Sequence, residues 1–165
     1  LSSVQDAMRH RIAMVHQELN LLPNLTVAEN IFVGREIRGR FGSIDRRTQE
    51  EKSGQAMKRL GCKVSADVLV ENLTLGDQQL VELARSLFQD ARILILDEPS
   101  SALSISEVGA LFRAIEDLKT QGVSIIYISH RLDELLRIGD VFTVLRDGEV
   151  VGVCNRAEVT RRRLT

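Results

Sequence analysis

A pair of adjacent carboxylates is the first feature of this sequence that could do chemistry. In RILILDEPSSALS, residues 92–104, a run of four aliphatic residues precedes Asp97 and Glu98. Two carboxylates at the end of a buried strand are suited to holding a magnesium ion and activating a water beside the phosphates of a nucleotide. Asp97 could instead simply cap the following turn. The Asp-Glu-Pro sequence after aliphatic residues favours the functional interpretation.

Further polar residues are expected to lie beside these carboxylates. Gln17 follows the apolar segment 11–16, and Ser129 and His130 follow the apolar segment 123–128. The carboxyl ends of parallel strands meet at one edge of an open α/β sheet, where ligands bind. An amide, two carboxylates and an imidazole could then surround one phosphate group. Taken singly, Gln17 and His130 would more often be surface or structural residues, so the prediction depends on their convergence.

The strands that must position these residues alternate with helices in the second half of the chain. Buried strands are predicted over 92–96 and 123–128, and Ser104 and Glu107 form a capping box for the amphipathic helix between them. Strand, helix and strand at this distance form a βαβ unit with parallel strands. A short helix over 131–138 follows. A hairpin with an Asp-Gly type I′ turn at 147–148 comes next.

The region of about 18–90 is predicted to be mostly helical. Helix starts are recognised by a side chain that could cap the first turn. These are Thr26, with Glu29 three residues later and a helix running towards Ile37; Asp45, with a helix to about Leu60; and Thr74, near which an apolar stripe begins.

Composition restricts the class of protein. The 165 residues suffice for one domain, and a net charge of −1 gives no basic field for nucleic acid or a membrane surface. Cys62 and Cys154 lack metal-site spacing, so a reducing cytosol is expected. No apolar run is long enough to span a bilayer, and no signal peptide is visible. The TRRRLT tail, residues 160–165, is expected to be a solvated end.

Four ordered motifs resemble the ATP-binding subunits of ABC transporters, in particular those of ribose- and galactose-type sugar importers. MVHQELNLLPNLTVAENIFVGRE resembles the Q-loop and the segment after it, and LTLGDQQLVELARSL resembles the signature motif and its helix. ILILDEPSSAL is similar to the Walker B strand, catalytic glutamate and D-loop, and IIYISHRLDEL to the switch histidine segment. The resemblance implies an α/β, P-loop NTPase-like (RecA-like) parallel-sheet core formed by residues 1–17 and 91–165. A helical subdomain with the signature motif would span about 18–90, so that 1–165 is a partial nucleotide-binding domain.

The resemblance also implies roles for individual residues, with ATP and Mg²⁺ as cofactors. Asp97 would bind magnesium through water, and Glu98 would polarise the attacking water. Gln17 would touch the metal and the water while sensing the membrane subunit, and His130 would contact the γ-phosphate. The signature residues would face the ATP held by the other member of a dimer; these are Thr74, Leu75, Gly76 and Asp77.

The partners follow from the same resemblance. They are transmembrane permease subunits, a second nucleotide-binding domain and, indirectly, a sugar-binding protein, with no nucleic acid. The expected location is peripheral, at the cytoplasmic face of the cell membrane. Such importers often carry two of these domains in one polypeptide, and His130 and the form of the Q-loop favour the N-terminal copy.

The sequence departs from the family pattern in the signature and in the D-loop. The signature is usually Leu-Ser-Gly-Gly-Gln, whereas here Thr74 keeps the hydroxyl, Leu75 replaces a small residue and Asp77 replaces the glutamine. Asp77 could repel phosphate, or Thr74 and Asp77 could form a capping box for the signature helix. Ser104 replaces the D-loop aspartate, which bears on the expected contact across the dimer.

A phosphate-binding loop of the form GxxxxGK[ST] does not occur in these residues. Lysine precedes Ser or Thr only at Lys52 and Lys119, where Glu51 and Leu118 occupy the required glycine position. In the family this Walker A loop lies before the Q-loop and would precede Leu1. Both ends of the chain are therefore expected to be cut, with the first strands missing and little or no hydrolysis by residues 1–165 alone.

Three alternatives remain from the sequence. A non-catalytic interaction module could dock on a membrane subunit near Gln17 and residues 21–29, leaving Asp97 and Glu98 vestigial. An ABC-type ATPase of DNA repair or translation is disfavoured by the near-neutral charge. A phosphoacceptor receiver domain leaves the helical insertion and the signature stretch unexplained.

Overall fold

The computed structural model describes residues 3–40, 42–88 and 91–158, so the predicted basic tail lies outside the described residues. The elements, in chain order, are α1 (Val4–Arg9), β1 (Ile12–Val15), α2 (Val27–Phe32), α3 (Arg46–Arg59), a 3-10 turn (Val70–Asn72), α4 (Leu75–Leu87), β2 (Ile93–Asp97), α5 (Ile105–Thr120), β3 (Ser124–Ile128), α6 (Leu132–Ile138), β4 (Val141–Arg146) and β5 (Glu149–Asn155). Within the described residues, none of the helices combines the length and the apolar character needed to cross a membrane.

Three parallel strands form the central sheet in the order β1-β2-β3. Val15 pairs with Leu96, and Asp97 pairs with Ile128. The predicted parallel pairing of the two strands around α5 is confirmed, and β1 joins the same sheet. All three strands therefore end at one edge, because parallel strands share their direction.

One face of this sheet is covered by helices and the other is more open. The covered face contributes small and branched side chains to a core shared with α4 and α5. The sheet residues of that core are Ala13, Val15, Leu94 and Leu96. On the opposite face, Met14, Ile126 and Ile128 are exposed. The alternation follows from the two-residue period of a strand.

In the described residues between β1 and β2, helices α2, α3 and α4 pack on one another. The capping box of Thr26 and Glu29 is confirmed, as is the Asp45 cap of α3. The predicted extension of the first helix to Ile37 is wrong, because α2 ends at Phe32. The chain turns there, since Val33 leaves the helical conformation with a φ of −54° and a ψ of 126°, and Gly34 has a φ of 74°.

The predicted hairpin is confirmed by β4 and β5, which pair antiparallel. Asp147 and Gly148 have φ values of 51° and 80°, as a type I′ turn requires. The Ser104–Glu107 capping box at the start of α5 is also confirmed.

Candidate functional site

The carboxyl edge of the sheet brings Glu98 and His130 into direct contact. Oε1 of Glu98 lies 2.8 Å from Nδ1 of His130. The Glu98 N–H donates to the carbonyl of Ile128 at 3.0 Å, which extends the β2–β3 pairing to the glutamate. The His130 side chain is 76% exposed and that of Glu98 is 27% exposed, so the pair is open to a ligand.

The backbone of Glu98 is in the left-handed region, with a φ of 47°. A residue with a Cβ adopts this conformation at a cost of about 1 kcal/mol or more, and such strain is concentrated at functional sites. The conformation ends β2 abruptly and starts a tight turn in which Ser101 N–H donates to the Glu98 carbonyl at 3.2 Å. The turn directs the chain towards α5.

Asp97 and Gln17 lie at the same edge. Asp97 is the last residue of β2 and is partly buried, whereas Gln17 follows β1 by two residues and is exposed. A carboxylate and an amide oxygen are ligands that suit Mg²⁺, which usually takes one or two carboxylates together with substrate phosphates. In the described part of the chain, no group of three or more His, Cys, Asp or Glu side chains could hold a metal ion.

The signature residues form the start of α4. Thr74 is the N-cap: its Oγ1 accepts from the Asp77 N–H at 3.2 Å and donates to Asp77 Oδ2 at 2.7 Å. The thiol of Cys62 lies 3.6 Å from Asp77 Oδ1. The predicted cap of the signature helix therefore forms. The Asp77 carboxylate accepts from the Thr74 hydroxyl, whereas in a capping box it would accept from the Thr74 backbone N–H. Leu75, at 63% exposed, extends away from the chain.

The signature helix rests on the turn that follows Glu98. A Cβ added to Gly76 would lie 3.0 Å from the carbonyl oxygen of Ala102, so only glycine fits this approach without a shift. Gln79 is 3% exposed, and its Oε1 accepts from the Ala102 N–H at 3.1 Å. Its Nε2 lies 3.4 Å from both the Glu98 carbonyl and Ser101 Oγ.

Sequence reasoning missed Gln79. The sequence does contain a sign of its role. Gln79 lies four residues before Leu83, so a polar side chain falls on the apolar stripe of α4.

The family of this chain follows from a match to a sequence profile. Residues 2–101 match the sequence profile of a family described as ABC transporter. The chain belongs to the ABC transporter family.

Relatives of this ABC family chain are named for ribose import. The ribose import ATP-binding protein RbsA of Caldanaerobacter subterraneus subsp. tengcongensis is 48% identical over 161 residues, covering 98% of this chain and 32% of that protein. The protein of the same name from Lactococcus lactis subsp. lactis is 48% identical over 147 residues, covering 89% and 30%. The chain thus spans about a third of the length of the curated relatives it matches.

Solved cassettes share the fold of this ABC chain. A dimeric ATP-binding cassette in a post-hydrolysis state, bound to ADP and Pi, superposes with a TM-score of 0.80 at 24% identity. The match covers 94% of this chain and 68% of that one. The predicted α/β, P-loop NTPase-like fold is confirmed.

A buried carboxylate in the ABC chain was not predicted as part of the site. Glu134, on α6, is 4% exposed and accepts hydrogen bonds from Ser100 and Tyr127. Burial first, and then the hydrogen bond to Glu134, raise the pKa of the Tyr127 phenol well above its usual range. The phenol therefore stays protonated and acts as a donor.

A second buried carboxylate lies on α4 of the ABC chain. Glu82 is 7% exposed, and among the described residues its buried Oε2 has no hydrogen-bond donor. The guanidinium of Arg85 is 3.9 Å away. Burial raises the pKa of the Glu82 carboxyl, against the opposing effect of Arg85 and His16.

Proposed function

We propose that this chain forms part of the energy-coupling ATPase of a sugar ABC importer. In this proposal residues 1–17 and 91–165 contribute to the catalytic core and about 18–90 to the helical subdomain. The observation that carries it is the 2.8 Å contact between Glu98 and His130 at the carboxyl edge of the sheet. A carboxylate and an imidazole held together there can orient a water molecule in line with a phosphate.

The proposed chemistry assigns each residue at the edge a separate task. Asp97 and Gln17 would hold Mg²⁺, which when bound supplies positive charge to the phosphates of ATP. Glu98 would accept a hydrogen bond from the attacking water and polarise it, and His130 would hold the Glu98 carboxylate and contact the γ-phosphate. The aliphatic strand before Asp97 keeps both carboxylates on a rigid support.

The start of α4 would serve the ATP of a second nucleotide-binding domain. Thr74, Leu75, Gly76 and Asp77 lie at a helix N-terminus, where free backbone N–H groups attract anions. Because the Asp77 carboxylate accepts from Thr74 and Cys62, part of its charge is already engaged within the chain. This arrangement supports the proposal that the signature motif can approach phosphate despite the acidic residue.

The names of the relatives support sugar as the transported substrate class. The proposed partners are transmembrane permease subunits, a second nucleotide-binding domain and, indirectly, a sugar-binding protein, with the chain peripheral at the cytoplasmic face of the membrane. We also propose that it corresponds to the N-terminal of two such domains. The reaction requires a phosphate-binding loop that residues 1–165 do not contain, so hydrolysis by these residues alone should be very low.

The test is magnesium-dependent phosphate release by the complete gene product and its Glu98→Gln variant. Removing the carboxylate should lower kcat by roughly 10²-fold or more, because a positioned base typically contributes that much. Glu116→Gln, which changes an exposed glutamate on α5, is the matched control. Equal turnover in the wild type and Glu98→Gln would refute the proposal. An inactive wild type that still binds permease subunits would favour a non-catalytic module.

A further inference from the structure

We propose that Glu134 is the positioning residue that sets His130 against Glu98. Its carboxylate holds, at the same time, the segment that carries the histidine and the segment that carries the glutamate. The kinetic part of this inference rests on the proposed function, whereas the geometric part does not.

The histidine segment is anchored on both sides of His130. Ser129 Oγ lies 3.4 Å from Glu134 Oε2, and the Arg131 guanidinium lies 2.6 Å from Glu134 Oε1. The Arg131 N–H also donates to Ser129 Oγ at 3.0 Å. Because both neighbours of His130 are tied to one buried carboxylate, the backbone that presents the imidazole has little freedom.

The glutamate segment is anchored at Ser100, two residues after Glu98. Ser100 is 2% exposed, and its Oγ lies 2.7 Å and 2.9 Å from the two oxygens of Glu134. The Tyr127 hydroxyl, from the end of β3, donates to Oε2 at 2.8 Å. One carboxylate thus joins the turn after β2, the end of β3 and α6.

The contact between Glu98 and His130 needs this support. The His130 side chain is largely open to solvent, and a solvent-exposed polar contact of this kind is too weak to hold two segments in register. Separating a buried carboxylate from its hydroxyl and guanidinium donors costs much more, because a buried charge is then left without a partner. The geometry of the exposed pair therefore depends on the buried cluster behind it.

The first test reads the position of His130 without requiring hydrolysis. Histidine-labelled complete gene product is compared by NMR with Glu134→Gln, and a His130→Gln variant assigns the His130 ring signals. In Glu134→Gln the amide N–H₂ opposes the surrounding donors, so the His130 signals should move towards those seen in Glu98→Gln. The signals of His10 and His16 should stay in place. A folded Glu134→Gln protein with unchanged His130 signals would overturn the proposal.

The second test is kinetic. Glu134→Gln should lower kcat by roughly 10- to 100-fold with the KM for ATP unchanged, since a displaced catalytic pair affects the reaction more than binding. In a His130→Ala background the same change should cause no further loss. Additive losses in the double variant would overturn the proposal.

Two milder variants cover the case in which Glu134→Gln does not fold. Tyr127→Phe and Ser100→Ala each remove one donor and keep the carboxylate. Both should move the His130 signals in the same direction by a smaller amount, and Glu116→Gln should not move them. If neither milder variant moves the His130 signals, the proposal fails. A wild type without Glu98-dependent hydrolysis would refute the proposed function, and the NMR comparison would still decide the role of Glu134.

Discussion

The turn after β2 and the start of α4 touch each other but are stabilised in opposite ways. The turn, residues 98–104, is held largely by buried residues remote in sequence, Glu134 on Ser100 and Gln79 on Ala102, and His130 contacts it at Glu98. The start of α4, residues 74–77, is held mainly by the local contact of Thr74 with Asp77.

In the proposed function, this difference would meet two requirements of a site shared by two nucleotide-binding domains. Reacting groups must be placed relative to one another within a chain, so long-range contacts fix them. A segment that meets a partner must keep its shape before the partner arrives, and a local cap provides this. Leu75 is exposed at the start of α4 and, in the proposed function, would form part of the surface that meets the partner.

The largest expected effect comes from removing the long-range contact of His130 with the turn after β2. His130→Ala should lower kcat for ATP hydrolysis in the complete gene product by roughly 10²-fold, because Glu98 loses its hydrogen-bond partner. The free energy of unfolding should change by less than about 0.5 kcal/mol, since the side chain is 76% exposed. Steady-state phosphate release and urea titration measure the two quantities. A large loss of stability with normal kcat would reverse the roles we assign.

The next prediction concerns the local cap of α4 at Thr74. Thr74→Ala removes the cap of α4 and should lower the free energy of unfolding by about 1 kcal/mol in a urea titration. Thr74→Ser keeps the hydroxyl and should restore most of this stability. Thr120→Ala, which removes an exposed hydroxyl at the end of α5, is the matched control and should stay within about 0.5 kcal/mol. No difference between the two alanine variants would show that the cap is unimportant.

The smallest expected effect concerns Glu82 on α4, which lies outside both the turn after β2 and the start of α4. Burial raises the pKa of Glu82, so the folded chain binds this proton more tightly than the unfolded chain does. The contribution of Glu82 to stability is therefore fully present below its ordinary pKa of 4.5 and is lost as the pH rises through the raised folded value. Glu82→Gln should consequently gain stability relative to the wild type as the pH rises.

Thermal unfolding at about pH 4 and about pH 8 measures this gain, which should not exceed roughly 1 kcal/mol. Glu116→Gln, at an exposed position, should show no such trend. If Glu82→Gln is less stable than the wild type at the higher pH, the Glu82 carboxylate of the wild type must have a stabilising partner.

Sequence reasoning was most successful where the determinant was local. Thr26, Asp45 and Ser104 were assigned correctly as helix caps because the capping hydrogen bond lies within three residues of the cap. The predicted end of α2 was too late, because the backbone leaves the helix after Phe32 and turns at Val33 and Gly34.

In the site, one long-range contact could be predicted because it follows from the order of the strands. Glu98 and His130 were predicted to converge because each follows a strand of one parallel sheet. Gln79 and Glu134 were missed because their partners lie 23 and 34 residues away in the sequence, at Ala102 and Ser100. A glutamate on a short helix gives no local sign of such burial. The assignments of Asp97 and Gln17 to magnesium stay predictions.

The positive φ of Glu98 places stability and turnover in conflict at one position. Glycine adopts a φ of 47° without the penalty of a Cβ and would relax the backbone by about 1 kcal/mol, but it would remove the carboxylate. Selection for heat resistance alone would therefore favour glycine at residue 98, whereas under the proposed function selection for ATP hydrolysis would retain glutamate.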